Sequence, residues 1–99
     1  MSAKRLHIND GAMSDVANAV SWYRKRSPIA ARNFSDELQR AIDMIQDAPE
    51  RWPKGPHNTR RLLLTQFPLA VNYLTDESST TIIAVAHGSR RPGYWTDRL

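Results

Sequence analysis

Residues 82–98 read IIAVAHGSRRPGYWTDR, and the beginning of this stretch decides the fold. The run from Ile82 to Ala86 is continuously apolar and rich in β-branched side chains, and Gly88 closes it soon afterwards. Runs of this kind are typical of a central strand that is buried on both faces of a sheet. We therefore predict a central strand over residues 80–87 and arrange the other elements around it.

The residues that follow this strand change at once from apolar to basic and aromatic. They include His87, Arg90, Arg91, Tyr94, Trp95 and Arg98. The packing of a core does not call for such side chains, whereas arginine grips anionic groups and aromatic rings anchor interfaces. The sequence therefore predicts a basic, aromatic surface at one edge of a small domain, where it would bind another macromolecule.

The composition sets the class of protein. The chain has 99 residues, 40% hydrophobic and 24% charged, which predicts one globular domain over residues 1–99. It has no cysteine, which excludes disulfides and thiolate metal sites. We expect a cytoplasmic protein without a membrane span, because no run approaches about 20 apolar residues and the N-terminal residues lack a signal-peptide core. The net charge of +4 favours an acidic or polyanionic partner.

Hydrophobic spacing predicts two helices in the first half of the chain. A short strand at residues 4–8 is followed by a turn at residues 9–11 and by a helix with Ser14 as its N-cap. Apolar residues then recur at helical spacing, with Trp22 at the seam. Ser27-Pro28 starts a second helix, which Pro49 ends. Because a couple of residues join the helices, we expect an antiparallel hairpin.

The second half of the chain predicts three strands, at residues 60–66, 69–75 and 80–87. Pro68 separates the first two, because proline cannot donate in a ladder, and the polar residues 76–79 form a hairpin turn. The order is β-α-α-β-β-β. This order predicts an α+β fold in which a helical hairpin packs on a mostly antiparallel four-stranded sheet.

The candidate binding residues are Arg60, Arg61, His87, Arg90, Arg91, Tyr94, Trp95 and Arg98. The paired arginines begin the second predicted strand, and they would approach the tail after His87 if the two strands lie in one sheet. Structural interpretations compete with this one. An exposed arginine can be a solvated charge, a histidine at a strand end can hydrogen-bond a turn, and Trp95 can clamp the tail onto the sheet.

Several kinds of catalytic site are excluded by their missing motifs. The sequence has no glycine-rich phosphate loop, no H-E-x-x-H and no G-x-S-x-G elbow. Its three histidines, His7, His57 and His87, lie far apart in the sequence, so we predict no metal site. We also expect no cofactor.

The whole series of phrases resembles the ParE/RelE superfamily of bacterial toxin–antitoxin toxins, and in particular its ParE-like, plasmid-stabilisation branch. The phrases are Trp22-Tyr23, Phe34, Pro49 with Trp52-Pro53, Arg60-Arg61-Leu62-Leu63-Leu64 before Phe67-Pro68, and the closing residues 84–95 with Arg98. The closing segment is the most specific part. The resemblance extends over nearly the whole chain.

This resemblance implies a growth-inhibiting toxin that a co-encoded, acidic antitoxin neutralises in a hetero-oligomeric complex. Two mechanisms follow from it. ParE-type members bind and inhibit DNA gyrase, whereas RelE-type members cleave mRNA on the ribosome without a metal. The second mechanism would use Arg61, His87, Arg90 and Tyr94, with His57 as a further candidate. We favour gyrase inhibition, because the nuclease branch tends to be lysine-rich near the second strand and this sequence has only Lys54 there.

Overall fold

The sheet and its two helices follow the predicted order, in a computed structural model that describes residues 4–87 and 94–99. The elements are β1 (Arg5–Ile8), α1 (Asp10–Arg26), α2 (Pro28–Asp47), β2 (Arg60–Leu63), β3 (Leu69–Thr75) and β4 (Ser79–His87). Two short 3₁₀ turns, Pro56–Asn58 and Thr96–Arg98, complete the described chain. The predicted α+β fold is confirmed.

The sheet has the strand order β1-β4-β3-β2. β1 pairs with β4 in parallel, and the other two pairs are antiparallel. β4 therefore lies inside the sheet, as its apolar sequence predicts. The parallel partner β1 is only four residues long and ends opposite Ile82, which leaves the second half of β4 without a strand on that side in the described chain.

Helix α1 begins earlier than the sequence predicts. Its N-cap is Asn9, whose side-chain oxygen accepts a hydrogen bond from the backbone N–H of Ala12 at 2.8 Å. The Asn9 N–H donates to the carbonyl of Ile82, so β1 passes into α1 without a separate turn. The predicted turn at residues 9–11 and the predicted Ser14 cap are both wrong, because asparagine caps a helix as well as serine does. This start places Asp15 in the second turn of α1, beside β4.

Ser27 forms the tight junction between the two helices. Its N–H donates to the carbonyl of Tyr23, which ends α1, and its hydroxyl accepts from the N–H of Ala30, which begins α2. Five apolar residues at helical spacing on α2 are buried in the core that the helix shares with the sheet: Phe34, Leu38, Ala41, Ile42 and Ile45. Trp22 does not lie in the seam between helices, because half of its surface is exposed.

A buried carboxylate on α2 holds the turn between β2 and β3. Glu37 accepts hydrogen bonds from the N–H and hydroxyl of Thr65 and from the N–H of Gln66. These bonds explain why β2 ends at Leu63 and not at residue 66. Burial raises the pKa of Glu37, but the bonds from Thr65 and Gln66, together with the charge of Arg40, outweigh it and leave that pKa below its ordinary value.

We expect Glu37→Gln to lower the free energy of unfolding by about 1–3 kcal/mol, because an amide cannot accept all of these bonds in their present geometry. A carboxylate with a lowered folded pKa stabilises the protein above its unfolded pKa, and this contribution is lost as the pH falls through the folded value. The difference between wild type and variant in urea unfolding should be full at pH 7 and shrink below about pH 4. A difference that is independent of pH would contradict this role, and Asp36→Asn on the exposed face is the control.

Candidate functional site

The described helices include none that is long and apolar enough to cross a membrane. Within residues 4–87 and 94–99 no cluster of His, Cys, Asp and Glu forms a metal-binding group either. The residues that the sequence nominates lie on β2, at the end of β4 and in the segment after it.

A groove lies between α1 and the unpaired edge of β4. Its volume is about 570 Å³. We call it the α1–β4 groove, and it is lined by Asp15, Asn18, Ala19, Trp22, Tyr23, Leu69, Val85, Ala86, His87 and Tyr94. The size lies in the range of ligand pockets, and the lining combines apolar walls with a few polar groups.

Aromatic rings form much of the wall of this groove. Trp22 meets Tyr23 edge to face at 5.0 Å, and the guanidinium of Arg26 lies 3.4 Å from the centre of the Trp22 ring. Burial raises the pKa of the Tyr23 hydroxyl above its ordinary value. A half-exposed tryptophan under an arginine is a surface suited to protein contacts.

His87 and Tyr94 are the two predicted site residues that the structure brings together in this groove. His87 is exposed at the end of β4, and Tyr94 is half-buried. Register explains the position of His87, since it lies opposite Leu69, a residue of the core that packs under the helices. The side chain of His87 therefore belongs to the helix side of the sheet.

Arg61 lies on the other face of the sheet. It pairs with Asn72, which pairs in turn with Ala84, and these positions alternate with the core residues Leu62 and Val71. β3 also lies between β2 and β4. Arg61 is thus separated from His87, whereas Trp95 of the tail packs on Ala84, which is in register with Arg61 through Asn72. The expectation that the paired arginines and the tail after His87 form one patch stays a prediction.

Arg60 holds the loop before β2. Its Nη1 donates to the backbone carbonyls of Glu50, at 3.2 Å, and Trp52. The hydroxyl of Tyr73 donates to the carbonyl of Pro49 in the same loop at 2.6 Å. This guanidinium is thus committed to intramolecular bonds, and its contribution to target binding stays a prediction.

Trp95 is buried, with 5% of its surface exposed, although the sequence predicts an exposed ring. It packs with Ile83 and Ala84 in a small second cluster, and the ring of His57 meets it edge to face at 6.1 Å. The residues Ile83 and Ala84 offer an apolar surface on which a large ring loses contact with water, so burial is the favoured state. This corrects the predicted exposure and agrees with the clamp interpretation.

Arg98 is bound to Asp15 and is not a free cation at the rim. Its Nη1 and Nη2 donate to the two carboxylate oxygens of Asp15 at 2.8 and 3.2 Å. Nη1 also donates to the carbonyl of Ile83. The hydrogen bonds to Asp15 raise the pKa of Arg98 above its ordinary value. Arg90 and Arg91 lie outside the described residues.

Sequence reasoning missed Asp15, Asn18 and Trp22 as residues of this region. A helix capped by Ser14 would place Asp15 in its first turn, where the helix dipole alone explains a carboxylate. A signal was available in Gly11, which lies four residues before Asp15 on the same helical face. Glycine destabilises a helix by about 1 kcal/mol relative to alanine, so a glycine inside a helix is often explained by a closely packed neighbour.

Comparison with known proteins places this chain in a family. The family model described as ParE toxin of type II toxin-antitoxin system, parDE, matches residues 6–92. The chain belongs to the ParE toxin family. The plasmid-stabilisation branch is not resolved by this match.

Two relatives and one solved structure agree with the family. Toxin ParE2 of Mycobacterium tuberculosis, from strains CDC 1551 / Oshkosh and ATCC 25618 / H37Rv, is 28% identical over 97 residues, which covers 90% of this chain and 86% of the relative. A chain of the chromosomal ParDE TA system from P. aeruginosa superposes with a TM-score of 0.75 at 15% identity, over 86% of this chain and 96% of that chain. At this identity the structural likeness concerns the fold alone.

The contrast between Trp95 and His87 yields a prediction about stability. We expect Trp95→Ala to lower the free energy of unfolding by about 3 kcal/mol, because it empties a buried site. His87→Ala should change it by less than about 0.5 kcal/mol, because the side chain is exposed. Urea unfolding followed by circular dichroism measures both, with Trp95→Phe as an intermediate case. If Trp95→Ala were as stable as the wild type, the interpretation that Trp95 holds the tail on the sheet would be wrong.

Proposed function

We propose that this ParE-family toxin arrests growth by binding DNA gyrase in the cytoplasm, and that a co-encoded acidic antitoxin neutralises it. Membership of a type II toxin–antitoxin family supports the class of protein and implies an antitoxin partner. The gyrase target and the neutralisation are the finer parts of the proposal. Each has its own test below.

We prefer a binding function to a catalytic one because Arg61 and His87 are separated in the fold. The two residues belong to opposite faces of the sheet, with β3 between their strands. General acid–base catalysis needs its groups within about 3 Å of the protons they move. A binding surface has no such requirement, since its contacts are spread over a large area.

The α1–β4 groove supports a contact with a protein. His87, Tyr94 and Trp22 place an imidazole and two rings around an apolar floor that includes Ala19 and Leu69. Aromatic side chains of this kind are enriched among the residues that dominate interface energies. We propose this groove and its rim as the main target contact.

The other predicted binding residues enter the proposal in different ways. Arg90 and Arg91 lie in sequence between His87 and Tyr94 and are proposed as charged contacts with the target. Arg60 and Arg61 are proposed as a secondary contact on β2. Trp95 and Arg98 support the segment that carries Tyr94.

The target is tested by adding the purified toxin to two assays, supercoiling by DNA gyrase and translation of a labelled mRNA on ribosomes. We expect inhibition of supercoiling with the mRNA intact. His87→Ala should weaken inhibition about tenfold, the equivalent of 1.4 kcal/mol of binding energy. His7→Ala, at an exposed position on β1, is the matched control and should keep wild-type potency.

The alternative is a ribosome-dependent mRNA endonuclease with Arg61, His87, Arg90 and Tyr94 at its site. Cuts in the ribosomal A site that disappear in a folded His87→Ala variant would establish this function and refute gyrase binding. If neither assay responds and induction does not arrest growth, the chain is a toxin-like protein without activity.

The antitoxin is tested by co-expression with the neighbouring short reading frame. We expect its product to copurify with the toxin and to abolish growth arrest. With a toxin of net charge +4 and an acidic partner, the dissociation constant should rise between about 0.1 and 1 M salt, where the Debye length falls from about 10 to 3 Å. Affinity that is independent of salt, measured by isothermal titration calorimetry, would contradict electrostatic recognition.

A further inference from the structure

Two backbone groups on the unpaired edge of β4 are satisfied by side chains. The N–H of Val85 donates to Oδ2 of Asp15 at 3.0 Å, and the carbonyl of Ile83 accepts from Nη1 of Arg98 at 3.2 Å. Buried backbone groups need partners, and an open strand edge invites pairing with another chain. At this edge, the carboxylate of Asp15 and the guanidinium of Arg98 bind the backbone groups that a neighbouring strand would otherwise bind.

The acid and the base also bind each other. The Asp15–Arg98 pair is bidentate, and its side chains are only 16% and 25% exposed. A fork of two parallel bonds fixes the orientation of a guanidinium, which a lysine ammonium cannot reproduce. Arg98 also lies 5.7 Å from the centre of the Tyr94 ring. The pair therefore connects α1, the edge of β4 and the tyrosine that lines the groove.

Gly11 provides an independent sign of this arrangement. A Cβ at this position would lie 2.5 Å from Nε and 2.8 Å from Cδ of Arg98. Because Gly11 has no side chain, the side chain of Arg98 can pack against α1 at this position. This explains why a residue unfavourable to helices occupies the first turn of α1.

We propose that Asp15 and Gly11 are positioning residues for target binding. They dock Arg98, and through it residues 94–99, so that Tyr94 stays at the wall of the α1–β4 groove and Trp95 stays on the sheet. Neither Asp15 nor Gly11 needs to touch the target. The inference rests on the proposed function in one respect, namely that the rim formed by His87 and Tyr94 contacts the target.

Three substitutions separate this role from a general effect on the fold. Asp15→Asn keeps an oxygen that can accept from Val85 but removes the ion pair. Arg98→Lys keeps the charge but loses the fork. Gly11→Ala changes no charge and improves helix propensity, while its methyl group displaces the guanidinium. Asp36→Asn, at an exposed carboxylate on α2, is the matched control for Asp15→Asn.

Each variant is measured in two ways. Heteronuclear NOEs of residues 94–99 report whether the segment is docked, and the gyrase-inhibition titration reports potency. We expect Asp15→Asn and Gly11→Ala to lose order in this segment and to lose about tenfold in potency, while the amide of Val85 stays protected in Asp15→Asn. Asp36→Asn should match wild type in both measurements.

The outcomes decide between the inference and the proposed function. If residues 94–99 become mobile in a variant that keeps its potency, the positioning role is overturned. It is also overturned if a variant loses potency while residues 94–99 stay ordered. If Asp15→Asn fails to fold, Gly11→Ala decides by the same two readings. If the wild-type protein does not inhibit gyrase, the proposed function fails. The docking role of Asp15 and Gly11 is refuted separately if residues 94–99 stay ordered in all three variants.

Discussion

The second half of β4 needs hydrogen-bond partners that β1 is too short to supply, and much of the structure is arranged around this need. β3 pairs with one edge of β4 along nearly its whole length. On the other edge β1 ends opposite Ile82, and Asp15 and Arg98 take over with side-chain groups. Within residues 4–87 and 94–99, this edge of β4 is thus satisfied by side chains instead of a further strand, and α1 is joined to the last described residues.

Part of the positive charge of this chain stabilises the fold and is not available to bind a partner. Arg98 is used inside the molecule, and Arg60 holds a loop by its carbonyls. These cations stabilise the scaffold that presents the site. Among the described residues that line the α1–β4 groove, Trp22, Tyr23 and Tyr94 are aromatic and none is lysine or arginine. Such a surface is suited to recognising a protein by shape and apolar contact, with charge acting mainly on the rate of encounter.

The two faces of the sheet also restrict the chemistry that the fold can perform. Successive side chains on a strand point to opposite faces of the sheet. Two residues whose backbones belong to the same sheet can therefore have side chains on opposite sides of it. Arg61 and His87 are such a pair. The fold shared with the P. aeruginosa structure does not by itself assign a mechanism, because function depends on the residues that each chain places on this scaffold.

Local patterns in the sequence determined the elements of this protein. The Ser27-Pro28 junction, the apolar face from Phe34 to Ile45 and the apolar run of β4 were readable because capping and periodicity act between residues a few positions apart. Only the tertiary structure decided the end of β2, the burial of Trp95 and the pairing of Asp15 with Arg98. Glu37 and Thr65 are 28 positions apart, and Asp15 and Arg98 are 83 apart. Contacts over such separations leave no periodic trace, because they depend on which surfaces the folded chain brings together.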